Sequence, residues 1–222
     1  MDMELVVVGT PRSGTVYMSK VLTELGIPCG HETIFNENGI NEDRNSWKLS
    51  SLSLETTGSW VDPQNIVADS SYFAVPFLNQ LNCKKIHVVR NPLKVIRSLS
   101  YGINYFSNSV PSNKWEKFIY NYLPELNKDM SQLERTCLFY VSWNKMIKSD
   151  FMYKLEDDLI LLTDYLKIPF KEVKVSNKTN TFTYEKVRKP LFLEDIPNGE
   201  IKNLFINYCV ELNYDLNFRY FF

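Results

Sequence analysis

The sequence predicts a three-layer α/β fold, a central parallel sheet flanked by helices. Leu5–Val8 is a short apolar, β-branched run bounded by Gly9 and Pro11, which reads as a strand buried on both faces. Strand-then-helix order returns at Ile86–Val89 before Asn91-Pro92, and at Phe151–Asp158 before Leu159–Leu166. The chain has 222 residues, 44% of them hydrophobic, which suits one domain over 1–222 with a sizeable core.

Bulk properties exclude several classes. A net charge of −1 offers no electrostatic argument for nucleic acid or an anionic membrane. No apolar run approaches the length of a membrane span, and the chain enters its first strand without a secretory signal. The expectation is a soluble, cytoplasmic protein with no membrane span. Cys29, Cys83, Cys137 and Cys209 are isolated, with no metal or disulfide spacing, and read as reduced core residues.

The first strand leads into Gly9-Thr-Pro-Arg-Ser-Gly-Thr15, and Val16, Met18, Val21, Leu22 and Leu25 then recur at helical spacing up to Gly26. A tight loop opening a helix gathers backbone N–H groups and the positive helix end around one point, an anion site. Gly9 and Gly14 have Walker A spacing, but Thr15 and Val16 stand where Lys and Ser/Thr belong. The loop therefore has no lysine for β- and γ-phosphates and no hydroxyl at the magnesium position. Its positive charge is Arg12.

Thr10-Pro-Arg-Ser-Gly-Thr15 resembles the 5′-phosphosulfate loop of sulfotransferases that use 3′-phosphoadenosine 5′-phosphosulfate (PAPS). Many members carry Lys at the Arg12 position; Arg is typical of Golgi and bacterial branches, and the Golgi enzymes carry a membrane anchor. The resemblance implies a P-loop-like fold. It also implies PAPS as donor, adenosine 3′,5′-bisphosphate as product, no metal, and a small-molecule or glycan hydroxyl as acceptor. Thr10, Arg12, Ser13, Gly14, Thr15 and the Val16 amide would hold the 5′ end. Arg12 would stabilise charge on the leaving oxygen.

Ile27–Cys29 reads as a second strand ending at Gly30, which brings His31 and Glu32 to the ligand end of the sheet. Cys29-Gly-His-Glu-Thr33 resembles the stretch of tyrosylprotein sulfotransferases that holds a glutamate base. Glu32 aligns with it, and His31 is the runner-up base or a hydrogen-bonded packing residue. Residues 36–64 are polar loops with Trp47 and Trp60 as packing anchors or base-stacking groups. Ile66–Ser71 reads as a third strand running into a helix over 72–81. Asp69 and Ser71 are acceptor-pocket candidates or helix caps.

Lys85–Ser98 is the second strong signal. Arg90 ends a strand, Asn91-Pro92 starts a helix, and Ser98 faces outward two turns on. In the resemblance, this arginine and a serine eight residues later bind the 3′-phosphate, which a guanidinium fork and a hydroxyl suit. Arg97 reads as a helper or a surface charge, and His87 as core. The aromatics of 101–122 and a helix over 133–147 read as packing. Glu156 and Asp157 read as caps of the helix at Leu159, and Leu155 stands where many members have an adenine-contacting tyrosine. Lys178, Lys186, Arg188 and Lys189 form a basic stretch, read as a solvated charge run. Ile201–Leu212 then reads as a final helix with Asn213 at its end. A nucleotide kinase or NTPase with a degenerate loop, and a non-catalytic nucleotide-binding module, are the alternatives.

Overall fold

The computed structural model describes residues 3–47, 62–108, 110–127, 129–173 and 190–216. In chain order its regular elements are β1 (Leu5–Val8), α1 (Thr15–Glu24), β2 (Cys29–His31), β3 (Phe35–Asn36), β4 (Gly39–Ile40), β5 (Ala68–Ser70), β6 (Lys84–Val89), α2 (Pro92–Arg97), α3 (Lys114–Tyr122), α4 (Gln132–Lys145), β7 (Phe151–Lys154), α5 (Leu159–Leu166) and α6 (Glu200–Glu211). The protein is α/β, with a five-stranded parallel sheet flanked by helices. It falls into two compact units, Met1–Arg90 with Met146–Thr179, and Asn91–Lys145 with Asn180–Phe222. Among the described residues no helix is long and apolar enough to cross a membrane.

The first unit holds the sheet, in the order β2-β5-β1-β6-β7. β1 is central, with Leu5 opposite Ala68 on one side and Lys84 on the other. Val6, Val7 and Val8 are all fully buried, as a strand covered on both faces requires. Leu5, Val7, Ile86, Val88 and Tyr153 pack against Met18, Val21 and Leu22 of α1 and Leu162 and Leu166 of α5. α1 ends where Gly26 takes φ +91°. The Gly26 amide donates to the Thr23 carbonyl and the Ile27 amide to the Leu22 carbonyl, closing the last turn.

β1 runs through α1 to β2 on one side of it, whereas β6, its neighbour on the other side, continues to β7 farther out. Adjacent strands whose connections diverge open a crevice at their carboxyl ends. The loop after β1 and Arg90 after β6 both stand at that end.

Several boundaries differ from the sequence reading. β2 lies two residues later than expected, at Cys29–His31, so His31 is inside a strand rather than in the loop beyond it. The cause is local: the Ile27 amide is used in the helix cap, and Pro28 has no N–H to donate. Residues 72–80 form a 3₁₀ helix, because Pro76 removes an α-helical donor. Ser71 is its cap, accepting from the Phe73 amide at 3.1 Å. The α5 cap is Asp158, which accepts from the Ile160 amide at 3.0 Å, and not Glu156 or Asp157. Trp47 is a packing anchor, 4% exposed, with its Nε1–H donated to the Asn41 carbonyl. Cys83 is half-buried at a strand start, while the other three cysteines are buried thiols. Trp60 and the basic stretch over Lys178–Lys189 lie outside the described residues.

The second unit is helical. Asn91 caps α2, accepting from the Lys94 amide at 3.1 Å. Ser98 is 7% exposed and opens a π-helical turn over Ser98–Gly102. It does not face outward: it is buried together with Leu99 and Ser100, while its amide keeps the α-helical bond to the Lys94 carbonyl. Phe106, Phe118, Phe139 and Trp143 form an aromatic core, and Tyr140 meets Phe205 and Tyr208 of α6 with ring centroids at 6.0 Å. Phe106 holds φ +57°, a costly conformation for a bulky residue. Buried Glu116 accepts its amide at 2.9 Å, and buried Arg135 donates to its carbonyl at 2.8 Å. α6 ends with Asn213 at φ +54°, in the place a glycine usually takes.

Candidate functional site

The loop after β1 is built by close contact. A Cβ on Gly9 would stand 2.4 Å from the Val88 carbonyl oxygen. Gly14 has φ +108°, and a Cβ there would meet both Leu155 methyl carbons at 2.9 Å. Leu155, reached by sequence reasoning only as a departure from the family, thus packs over the loop. Between the glycines Arg12 takes φ 73°, unusual for a residue with a side chain. The Thr10 and Ser13 hydroxyls lie 2.6 Å apart and are fully buried, bracing the loop from inside.

Gly14 is the N-terminal boundary residue of α1, and the first helical bond runs from the Met18 amide to the Gly14 carbonyl at 2.9 Å. The amides of Thr15, Val16 and Tyr17 precede it and have no acceptor within the helix. No acidic residue sits in this first turn, so its positive end is unopposed there. From the end of β6, Arg90 donates through Nη1 to the Arg12 carbonyl at 3.4 Å. Both arginines are half-buried. The loop amides and the Arg90 guanidinium therefore meet at the carboxyl end of the central strands, an arrangement suited to an oxyanion with several acceptor oxygens.

The β2 end adds His31 and Glu32. His31 is 4% exposed, and its Nε2 lies 3.2 Å from the Thr15 hydroxyl and 3.8 Å from a Glu32 carboxylate oxygen. Burial pushes its pKa down to about 4, so the ring is neutral near pH 7 and the Glu32 contact is not an ion pair there. Its burial and its contact with Thr15 fit the hydrogen-bonded packing alternative of the two read from sequence. Glu32 has φ +54°, and its side chain is 26% exposed.

Three successive residues at the end of β5 hold these pieces. Asp69, fully buried, accepts the amides of Thr33 at 3.3 Å and of Ile34 and Phe35 at 3.1 Å. Burial raises its pKa to about 6, against the pull of the amides of Phe35, Thr33, Ile34 and Ser70. Ser70 donates to the Thr15 carbonyl at 2.8 Å, and Ser71 to the Phe35 carbonyl at 3.0 Å. Asp69 is thus neither a helix cap nor an open pocket carboxylate; it fastens the segment behind Glu32. Ser70 was not singled out from sequence. The only hint was three polar residues directly after a buried strand.

The first unit brings together Thr10, Arg12, Ser13, Gly14, Thr15, Val16, His31, Glu32 and Arg90. Ser98 belongs to the second unit. Compared with models of known protein families and with curated proteins, the chain matches none.

Proposed function

We propose that the chain is a PAPS-dependent sulfotransferase with a P-loop-like fold, moving a sulfuryl group to a hydroxyl acceptor. The observation that carries the reading is the hydrogen bond from Arg90 to the Arg12 carbonyl, beside first-turn amides of α1 that have no acceptor within the helix. Two cationic groups at a Gly-x-x-x-x-Gly loop without the Walker lysine and hydroxyl suit an adenosine carrying anions at both ends. They do not suit a magnesium triphosphate.

The residues present fit that donor by their chemistry. The amides of Gly14, Thr15 and Val16 with Arg12 would hold the 5′-phosphosulfate, and Arg90 the 3′-phosphate. The donor supplies an activated sulfuryl group. Glu32 would take the proton of the attacking acceptor hydroxyl. Arg12 would offset the negative charge that grows on the departing bridging oxygen.

A thermal-shift titration tests this without knowledge of the acceptor. Adenosine 3′,5′-bisphosphate is expected to raise the melting temperature at concentrations where AMP and Mg-ATP do not. Stabilisation by Mg-ATP alone overturns the reading in favour of an NTPase. Equal indifference to all three removes the nucleotide site. Nucleotide stabilisation without transfer to any hydroxyl acceptor leaves a binding module.

A further inference from the structure

We propose that His31 is a positioning residue, whose Nε2–H holds the Thr15 hydroxyl oxygen so that the hydroxyl proton is presented to an anion in the loop. The inference rests on the function proposed above for the identity of that anion, and on the side-chain geometry for everything else.

The direction of the hydrogen bond follows from the ring's other nitrogen. His31 Nδ1 is buried and has no hydrogen-bond partner among the described residues. A buried N–H with no acceptor is the costlier of the two ways to leave that atom, since orphaned donors are rarer than unfilled lone pairs. The proton therefore belongs on Nε2, and the Glu32 carboxylate oxygen 3.8 Å from Nε2 favours the same tautomer. With Nε2 protonated, Thr15 Oγ1 is the acceptor of the 3.2 Å contact. Thr15 is 5% exposed, and among the described residues its hydroxyl makes no other hydrogen bond.

The Thr15 proton thus cannot go to His31, and it sits on the first residue of α1, beside the first-turn amides that have no acceptor within the helix. The loop gains a side-chain donor and no acceptor, which selects a ligand bristling with acceptor oxygens over one that donates. The order Glu32, His31, Thr15 links the proposed base to the loop through a neutral ring. His31 thereby orients the Thr15 hydroxyl and transfers no proton itself.

The chain has two histidines, so its imidazole spectrum contains two ring systems. The test is a two-bond ¹H–¹⁵N spectrum of the [¹⁵N]histidine-labelled full chain at pH 7, with His31 assigned through the loss of its signals in His31→Gln. A neutral ring protonated at Nε2 is expected. A ring protonated at Nδ1, or an imidazolium, overturns the proposal.

Affinity for adenosine 3′,5′-bisphosphate gives the second arm. Thr15→Val and His31→Leu are each expected to weaken binding roughly tenfold, the scale of one hydrogen bond to a charged group. The double variant is expected to be no weaker than either single. His31→Gln, whose amide N–H can still donate to Thr15, is expected to recover most of the loss. Additive losses, or no recovery, overturn the proposal. If the wild-type chain binds no bisphosphate, the sulfotransferase reading fails, and the tautomer of the unliganded protein decides the role of His31 by itself.

Discussion

Arg90 and Arg12 are 78 residues apart in the chain, and the guanidinium of the first donates to the backbone carbonyl of the second at 3.4 Å. Parallel pairing makes this possible: Val8 stands opposite His87, so the residues that follow each strand leave the sheet side by side. The same contact holds the Arg90 guanidinium against the loop that opens α1.

Arg90→Ala tests the nucleotide assignment. Loss of a charge-assisted contact to phosphate is expected to raise the dissociation constant for adenosine 3′,5′-bisphosphate about tenfold to a hundredfold, or about 1.5–3 kcal/mol. Isothermal titration calorimetry reads it. Wild-type affinity would remove Arg90 from the site.

Glu32→Gln separates chemistry from binding. The variant is expected to bind adenosine 3′,5′-bisphosphate as the wild type does, yet to lose transfer by a factor of about 10²–10⁴, the usual share of a general base. Full transfer with the amide in place would assign proton removal elsewhere. Arg12→Ala is expected to lose turnover while the melting temperature is kept, because Arg12 is half-buried.

Gly9→Ala tests the packing of the loop. The added methyl meets a backbone carbonyl at 2.4 Å, and β6 would have to yield. The expected cost is about 3 kcal/mol, the upper range for overpacking a tight site. Urea unfolding measures it. A loss below the usual scatter of surface substitutions would mean that the loop relaxes freely.

Two buried groups oppose one another in acid. His31 is depressed from 6.5 to about 4, so its contribution to stability is present above pH 6.5 and lost as pH falls through 4. Asp69 is raised from 3.8 to about 6, so its contribution is present below pH 3.8 and lost as pH rises through 6. Between pH 4 and 6 the two slopes have opposite sign and comparable size. Asp69→Asn leaves the His31 slope unopposed. Relative to wild type, the variant is expected to lose roughly 3 kcal/mol on acidification from pH 6.5 to 4, at about 1.4 kcal/mol per unit of displacement. Urea midpoints at four pH values give the difference; parallel curves would show that Asp69 does not titrate in this window.

Legibility tracked how local each feature is. Leu5–Val8, the glycine loop and α1 can be read from sequence because strand burial, Walker spacing and helical periodicity are properties of adjacent residues. Arg90 could be placed at a strand end for the same reason. Ser98 reads as outward from the sequence because helical spacing gives only its angle on α2, while the packing that buries it leaves no mark in the hydrophobic period. Asp69 read as a cap or a pocket acid, since its actual partners are amides more than thirty residues earlier.

The amino-acid order alone determined the strand–loop–helix at the start of the chain, its lack of Walker lysine and hydroxyl, and the charges that stand at two strand ends. Only the tertiary structure decided which of those groups meet. The sheet inserts β5 between β1 and β2, so that Ser70 reaches Thr15 and Asp69 fastens the segment behind Glu32. Burial, which depends on every neighbour at once, then lowered the pKa of His31 and set its ring against the Thr15 hydroxyl.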